Sequence, residues 1–125
     1  TYIGGVGSKG HFVEIRVMIT NLTDKTWDGY SATSFLLATD VQGVDQHVSV
    51  PLDENVSFIK SKSYEVNQIK DIAYPGTALT TFLVFDVPKE TTGGQLVFRA
   101  IDRSGQKSDI RVKIPLPKFI PVPTE

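Results

Sequence analysis

The chain has 125 residues, 22% of them charged, and a formal net charge of −1. That length fits one domain, able to bury roughly two-thirds of the surface its unfolded form exposes. The composition excludes a disordered polymer, the charge gives no broad field for nucleic acid or an anionic membrane, and the lack of cysteine excludes disulfides, thiolate zinc sites and cysteine nucleophiles together.

Residues 1–10 carry four glycines and read as a loose or edge segment. A phosphate-loop reading fails because no Gly-Lys-Ser/Thr ending and no helical pattern follow. His11 to Thr20 is the first clear strand: Val13, Ile15, Val17 and Ile19 alternate with Glu14, Arg16 and Thr20 at period two. Asn21 to Lys25 supplies turn chemistry through asparagine and aspartate. Asn21-Leu22-Thr23 and Asn55-Val56-Ser57 match glycosylation acceptors, a short and common pattern.

Trp27 to Ser34 is a polar loop containing Trp27 and Tyr30. An exposed aromatic pair would stack on a sugar or peptide; a buried Trp27 would instead plug one end of the fold, the preferred reading for so strongly buried a residue type. Phe35 to Ala38 is a short strand, and Asp40 to Gly43 turns it into an edge strand over Val44 to Val50. Pro51 to Lys70 reads as loop with short strands, because serines and an asparagine interrupt any helical pattern. It holds an acidic cluster, Asp53-Glu54-Asn55, and a basic one, Lys60-Ser61-Lys62.

The stretch from Tyr74 to Pro88 organises the rest. Pro75-Gly76 is a turn signal, and Thr77 to Val87 is rich in β-branched and aromatic residues. Apolar bulk on both faces places this strand inside a sheet, with Pro88 ending the ladder. Gln95 to Ile101 is a further strand, Asp102 to Gln106 a hairpin loop, and Lys107 to Pro115 the last strand, with Ile110, Val112 and Ile114 inward. Residues 1–115 form the sandwich, and residues 116–125 form a proline-rich tail, either a strap or a linker. About seven or eight short strands separated by turn signals specify an all-β antiparallel sandwich.

Taken together, Gly10 to Asn21, Asp24-Lys25, Phe35-Leu36-Leu37 before Asp40 and Gly43, and Pro75-Gly76 ahead of Leu83-Val84-Phe85-Asp86-Val87-Pro88 resemble a bacterial family, domain of unknown function 4352. Its fold is related to that of a secreted immunoprotective antigen of mycobacteria. The likeness covers roughly residues 10–115 and rests on strand and turn motifs. It implies an immunoglobulin-like topology and an extracytoplasmic location, often behind a lipoprotein or membrane anchor. The family carries no established catalytic residues.

Catalysis finds no support in the residues. Gly-x-Ser-x-Gly is absent, and the two histidines, His11 and His47, fall on expected strands without triad partners. Calcium could find oxygen ligands at Asp40 to Asp45 or at Asp53-Glu54-Asn55, though neither has the spaced aspartate pattern. Copper carriage is excluded by a single methionine, Met18. No cofactor is expected. The sequence therefore points to a non-catalytic envelope module acting through its surface on an unidentified protein or envelope component. Its expected contact loops are Trp27 to Ser34, Gly43 and Pro51 to Asn55 at one end, with Trp27, Tyr30, Asp53 and Glu54 as candidate ligand contacts. The edge strand Val44 to Val50 could also accept a partner's strand. The alternatives are a passive spacer and a calcium-binding domain.

Overall fold

The structure, a computed structural model, describes residues 2–101 and 107–117, with backbone alone for 107–111. The Asp102 to Gln106 loop and Pro121-Val122-Pro123 lie outside the described residues. Strands are β1 (Tyr2–Ile3), β2 (Val6–Gly7), β3 (His11–Thr20), β4 (Phe35–Val41), β5 (Val48–Pro51), β6 (Ala78–Val87), β7 (Thr91–Ile101) and β8 (Lys107–Pro115). A 3-10 turn, Ala32–Ser34, precedes β4, and one α-helix, α1 (Glu54–Ser63), follows β5. The chain is an all-β antiparallel sandwich: a four-stranded sheet ordered β5-β4-β7-β8 packs against the pair β3-β6, with the hairpin β1-β2 alongside.

The main core lies between the sheets and includes Phe35, Leu37, Leu83, Phe85, Val87 and Leu96. A second cluster lies on the other face of β6, where Val84 meets Ile3 and Val56, flanked by Phe12 and Ile59. The apolar bulk on both faces of β6 is thus explained, but not by two strand neighbours as the sequence suggested. β6 has β3 on one side and α1 on the other.

That second side is closed by hydroxyls. Ser57 Oγ accepts the Val84 N–H at 2.8 Å and donates to the Val84 carbonyl at 3.4 Å. One turn later, Ser61 Oγ accepts the Phe82 N–H at 3.0 Å and donates to the Phe82 carbonyl at 3.4 Å. Asn67 continues the row, its Oδ1 accepting the Thr80 N–H and its N–H donating to the Thr80 carbonyl. Residues at i and i+4 share a helix face, so α1 presents its two serines to the strand edge at successive rungs. Ser34 treats Ile101 in the same way at the end of β7, accepting its N–H at 3.0 Å and donating to its carbonyl at 2.8 Å.

The expectation of loop and short strands over 51–70 is therefore corrected. Asp53 caps the helix, its Oδ1 accepting the Val56 N–H, with Glu54 in the first turn and Lys60 and Lys62 in the last. The helix ends in a Schellman pattern: Val66 N–H donates to the Ser61 carbonyl and Glu65 N–H to the Lys62 carbonyl, with Glu65 at φ 55°. Residues 2–10 hold more regular structure than their glycines suggested. Gly4 and Gly5, both at positive φ, form the two-residue turn between paired Ile3 and Val6, as a type I′ hairpin requires.

Other boundaries also move. β4 runs on to Val41, and residues 44–47 are not strand; the turn closes where Val44 N–H meets the Val41 carbonyl. Trp27 to Ser34 leads into β4 while Gly43 follows its end, so these loops lie at opposite ends of that strand rather than together. Leu116, assigned by sequence to the tail, donates its N–H to the Gly94 carbonyl and packs against the core. Val112 and Ile114, expected inward, are 40% and 44% exposed.

Candidate functional site

The four candidate contacts do not form one site. Trp27 and Ala73 exchange backbone hydrogen bonds, and Tyr30 N–H reaches the Ile69 carbonyl, which ties this loop to the segment before β6. Tyr30 is buried, its ring among Trp27, Phe35 and Phe98. Burial raises its phenol above the ordinary tyrosine pKa. Trp27 is half-buried and stacks on Tyr30, so the pair caps the core instead of standing free as a platform. Asp53 and Glu54 sit elsewhere, at the start of α1. They line an open groove of about 760 Å³ with Lys9, Asp86, Lys89 and Glu90. Asp86 is already engaged, accepting the backbone N–H groups of Lys9 and Gly10.

The carboxylates that the sequence offered to calcium have other contacts. Asp53 is spent on the helix cap, Asp40 meets His47, and no three His, Asp or Glu side chains converge among the described residues. His47 lies in the loop before β5, not on a strand. Its Nδ1 is 2.8 Å from Asp40 Oδ1, with the side chains 57% and 56% exposed. Such a pair is half of a triad in composition only, because both side chains stand more than half exposed to solvent. His11 is exposed at the start of β3. Neither glycosylation pattern offers a free loop asparagine. Asn21 is buried, its amide donating to the Lys25 and Ala73 carbonyls, and Asn55 belongs to α1.

One unpaired edge that the sequence did not single out is the outer edge of β3. Each strand residue points its N–H and C=O to the same side, alternating along the strand. Since Thr80, Phe82 and Val84 face α1 and Asn67, their neighbours Leu79, Thr81, Leu83 and Phe85 face β3. Those residues pair with Ile19, Val17, Ile15 and Val13. The backbone groups of Phe12, Glu14, Arg16, Met18 and Thr20 consequently point away from β6. Among the described residues no strand pairs with that side.

Packing tells the same story. Val13, Ile15, Val17 and Ile19 touch the core yet are only half-buried, while Leu79, Leu83 and Phe85 opposite them are buried. Beside this edge runs an apolar groove of about 220 Å³, walled by Val17, Ile19, Phe35, Leu96, Phe98 and Ile114. Met18 stands 71% exposed at its rim. Two strands cover four, and the uncovered part is apolar. The signal legible in the sequence was the charge-poor C-terminal half of β3, Val17-Met18-Ile19-Thr20.

On the outer face of the β3-β6 pair, Lys60 reaches Glu14 at 3.2 Å and lies over the Tyr64 ring at 4.6 Å. Burial of the ammonium disfavours its charge, but the hydrogen bonds and charge of Glu14 and Tyr64 outweigh that and raise its pKa. Among the described residues no helix is long and apolar enough to cross a membrane. No protein-family model, curated protein or solved structure matches this chain.

Proposed function

We propose that this domain is a non-catalytic, extracytoplasmic module of the bacterial envelope that binds an extended segment of a partner protein along β3. The observation that carries this reading is the contrast between the two outer edges of the β3-β6 pair. The β6 edge is sealed by Ser57, Ser61 and Asn67, whereas among the described residues no strand pairs with the β3 edge, which runs beside an apolar groove. An added strand would satisfy the outward groups of Phe12, Glu14, Arg16, Met18 and Thr20. Its inward side chains would cover Val17 and Ile19, the usual division of labour in strand addition.

The edge first favoured by sequence, Val44 to Val50, is less suited. Only Val48–Pro51 is strand there, and Pro51 lacks an N–H donor. The extracytoplasmic, anchored setting and the immunoglobulin-like class draw their support from the resemblance of residues 10–115 to the bacterial family. Selection of extended decapeptides from a displayed random library, followed by hydrogen exchange on the complex, tests the proposal. Selected peptides should alternate apolar residues and slow exchange at Phe12, Glu14, Arg16 and Met18. Peptides that protect β5 or β8 instead, or a library that yields none, would overturn it in favour of a passive spacer.

A further inference from the structure

We propose a second binding site, for a small organic monoanion with an apolar body, in the cavity between α1, the Gln68–Lys70 segment and β6. The cavity has a volume of about 360 Å³, with Phe58, Ile69 and Phe82 as apolar walls and Asn55, Gln68 and Lys70 as polar ones. That size falls within the range of small-molecule pockets, roughly 300–1,000 Å³. Its rim is held in place: Gln68 N–H donates to Asp71 Oδ2 at 2.8 Å, Asp71 N–H to the Gln68 carbonyl, and Gln68 Nε2 to the Phe58 carbonyl.

The ligand's charge follows from Lys70, on the cavity wall. Lys70 Nζ lies 5.1 Å from the centroid of the exposed Phe58 ring, and Lys62 Nζ lies 5.9 Å from the same centroid. Among the described residues neither is ion-paired, unlike Lys60 on the same helix, which has Glu14. Lys70 is the cation among the residues lining the cavity, and an anion received beside it would supply the charge partner that this ammonium lacks among the described residues. The ring and its apolar neighbours then cover the body of the ligand. Glu54, on the wall at the first turn of α1, opposes a second negative charge and so selects a monoanion over a dianion. The site is on the opposite flank of β6 from the β3 edge, and its failure would leave the strand-binding reading untouched.

The test is a titration of the full chain with 3-phenylpropionate, 3-phenylpropanol and inorganic phosphate, followed by amide and methyl chemical shifts. Phenylpropionate should saturate shifts at Phe58, Ile69, Lys70 and Phe82, with affinity falling as salt rises. The alcohol and the Lys70→Met variant, which keeps the apolar stem, should each bind about fivefold more weakly, the worth of one close charge pair in water. Absence of saturable shifts at these residues, equal binding of the alcohol, undiminished binding by Lys70→Met, or equal binding of phosphate would each overturn the proposal.

Discussion

At the scale of single residues, the hydroxyls of Ser57 and Ser61 are the most consequential groups in the chain. Each stands in for a strand partner, and removing one leaves a backbone N–H of β6 without an acceptor, buried at Val84 and part-buried at Phe82. Leaving a buried donor unsatisfied costs about 1–3 kcal/mol. Ser57→Ala and Ser61→Ala should each lower the unfolding free energy by that amount in urea titration. Loss of under half a kcal/mol in both would mean that water replaces the hydroxyls. Glu65 offers the opposite case. It occupies the left-handed position of the helix C-terminus, where glycine is the usual residue. Glu65→Gly should raise stability by about 0.5–1 kcal/mol, the relief of positive φ less the extra freedom of glycine in the unfolded chain. Gly29 has no such latitude: at φ 68°, a Cβ there would fall 2.4 Å from the Lys70 carbonyl oxygen. Gly29→Ala should therefore destabilise by about 2 kcal/mol or more, with thermal unfolding as the check.

At the scale of elements, α1 stabilises the fold in an unusual way, by a polar contact face. Val56 and Ile59 pack against the β6–hairpin cluster, but the residues buried alongside Val56 are Ser57 and Ser61. That is why the helix was hidden. Helical periodicity in sequence is sought as a stripe of apolar residues, and here serines occupy part of the stripe. The signals that could have revealed it were at its ends: Asp53 as cap, Glu54 in the first turn, Lys60 and Lys62 in the last. By contrast β3 and β6 were legible because their alternation is strong and their bounding turns carry Pro75-Gly76, Pro88 and asparagine, while β7 was legible only from Gln95, since Gly93-Gly94 in its first half carry the signature of a loop. Asp53→Ala should cost about 1 kcal/mol and reduce helical signal in far-ultraviolet circular dichroism. Equal stability with unchanged helicity would show that packing, not the cap, starts α1. The candidate site was less legible than the fold. Trp27 and Tyr30 were correctly paired, but composition could not say that Tyr30 turns inward among Phe35 and Phe98. Openness of the β3 edge depends on which strands become neighbours, a property of the whole topology and not of any local stretch.

At the scale of the whole molecule, two strands cover one side of the main core and four strands the other, with α1 packed on the flank and far face of β6. The arrangement should be sensitive to alkali. Burial raises the Tyr30 pKa, and Glu14 and Tyr64 raise that of Lys60. Both groups bind their protons more tightly when folded. Their contributions are fully present below the unfolded values of about 10 and 10.4, and are lost as pH rises through the raised folded values. The urea midpoint should begin to fall near pH 10, and Tyr30→Phe should flatten that fall. A midpoint that stays level from pH 9 to 11.5 would contradict the burial of Tyr30.

The central claim is that one edge of the β3-β6 pair is sealed and the other, among the described residues, unpaired. Site-resolved amide hydrogen exchange on the isolated domain tests it directly. The amides of Thr80, Phe82 and Val84 should exchange as slowly as those of Leu79, Leu83 and Phe85, because side chains of α1 and Asn67 occupy them. The amides of Phe12, Glu14, Arg16, Met18 and Thr20 should exchange far faster than those of Val13, Ile15, Val17 and Ile19. Uniform slow exchange along β3, or fast exchange at Phe82 and Val84, would contradict the account.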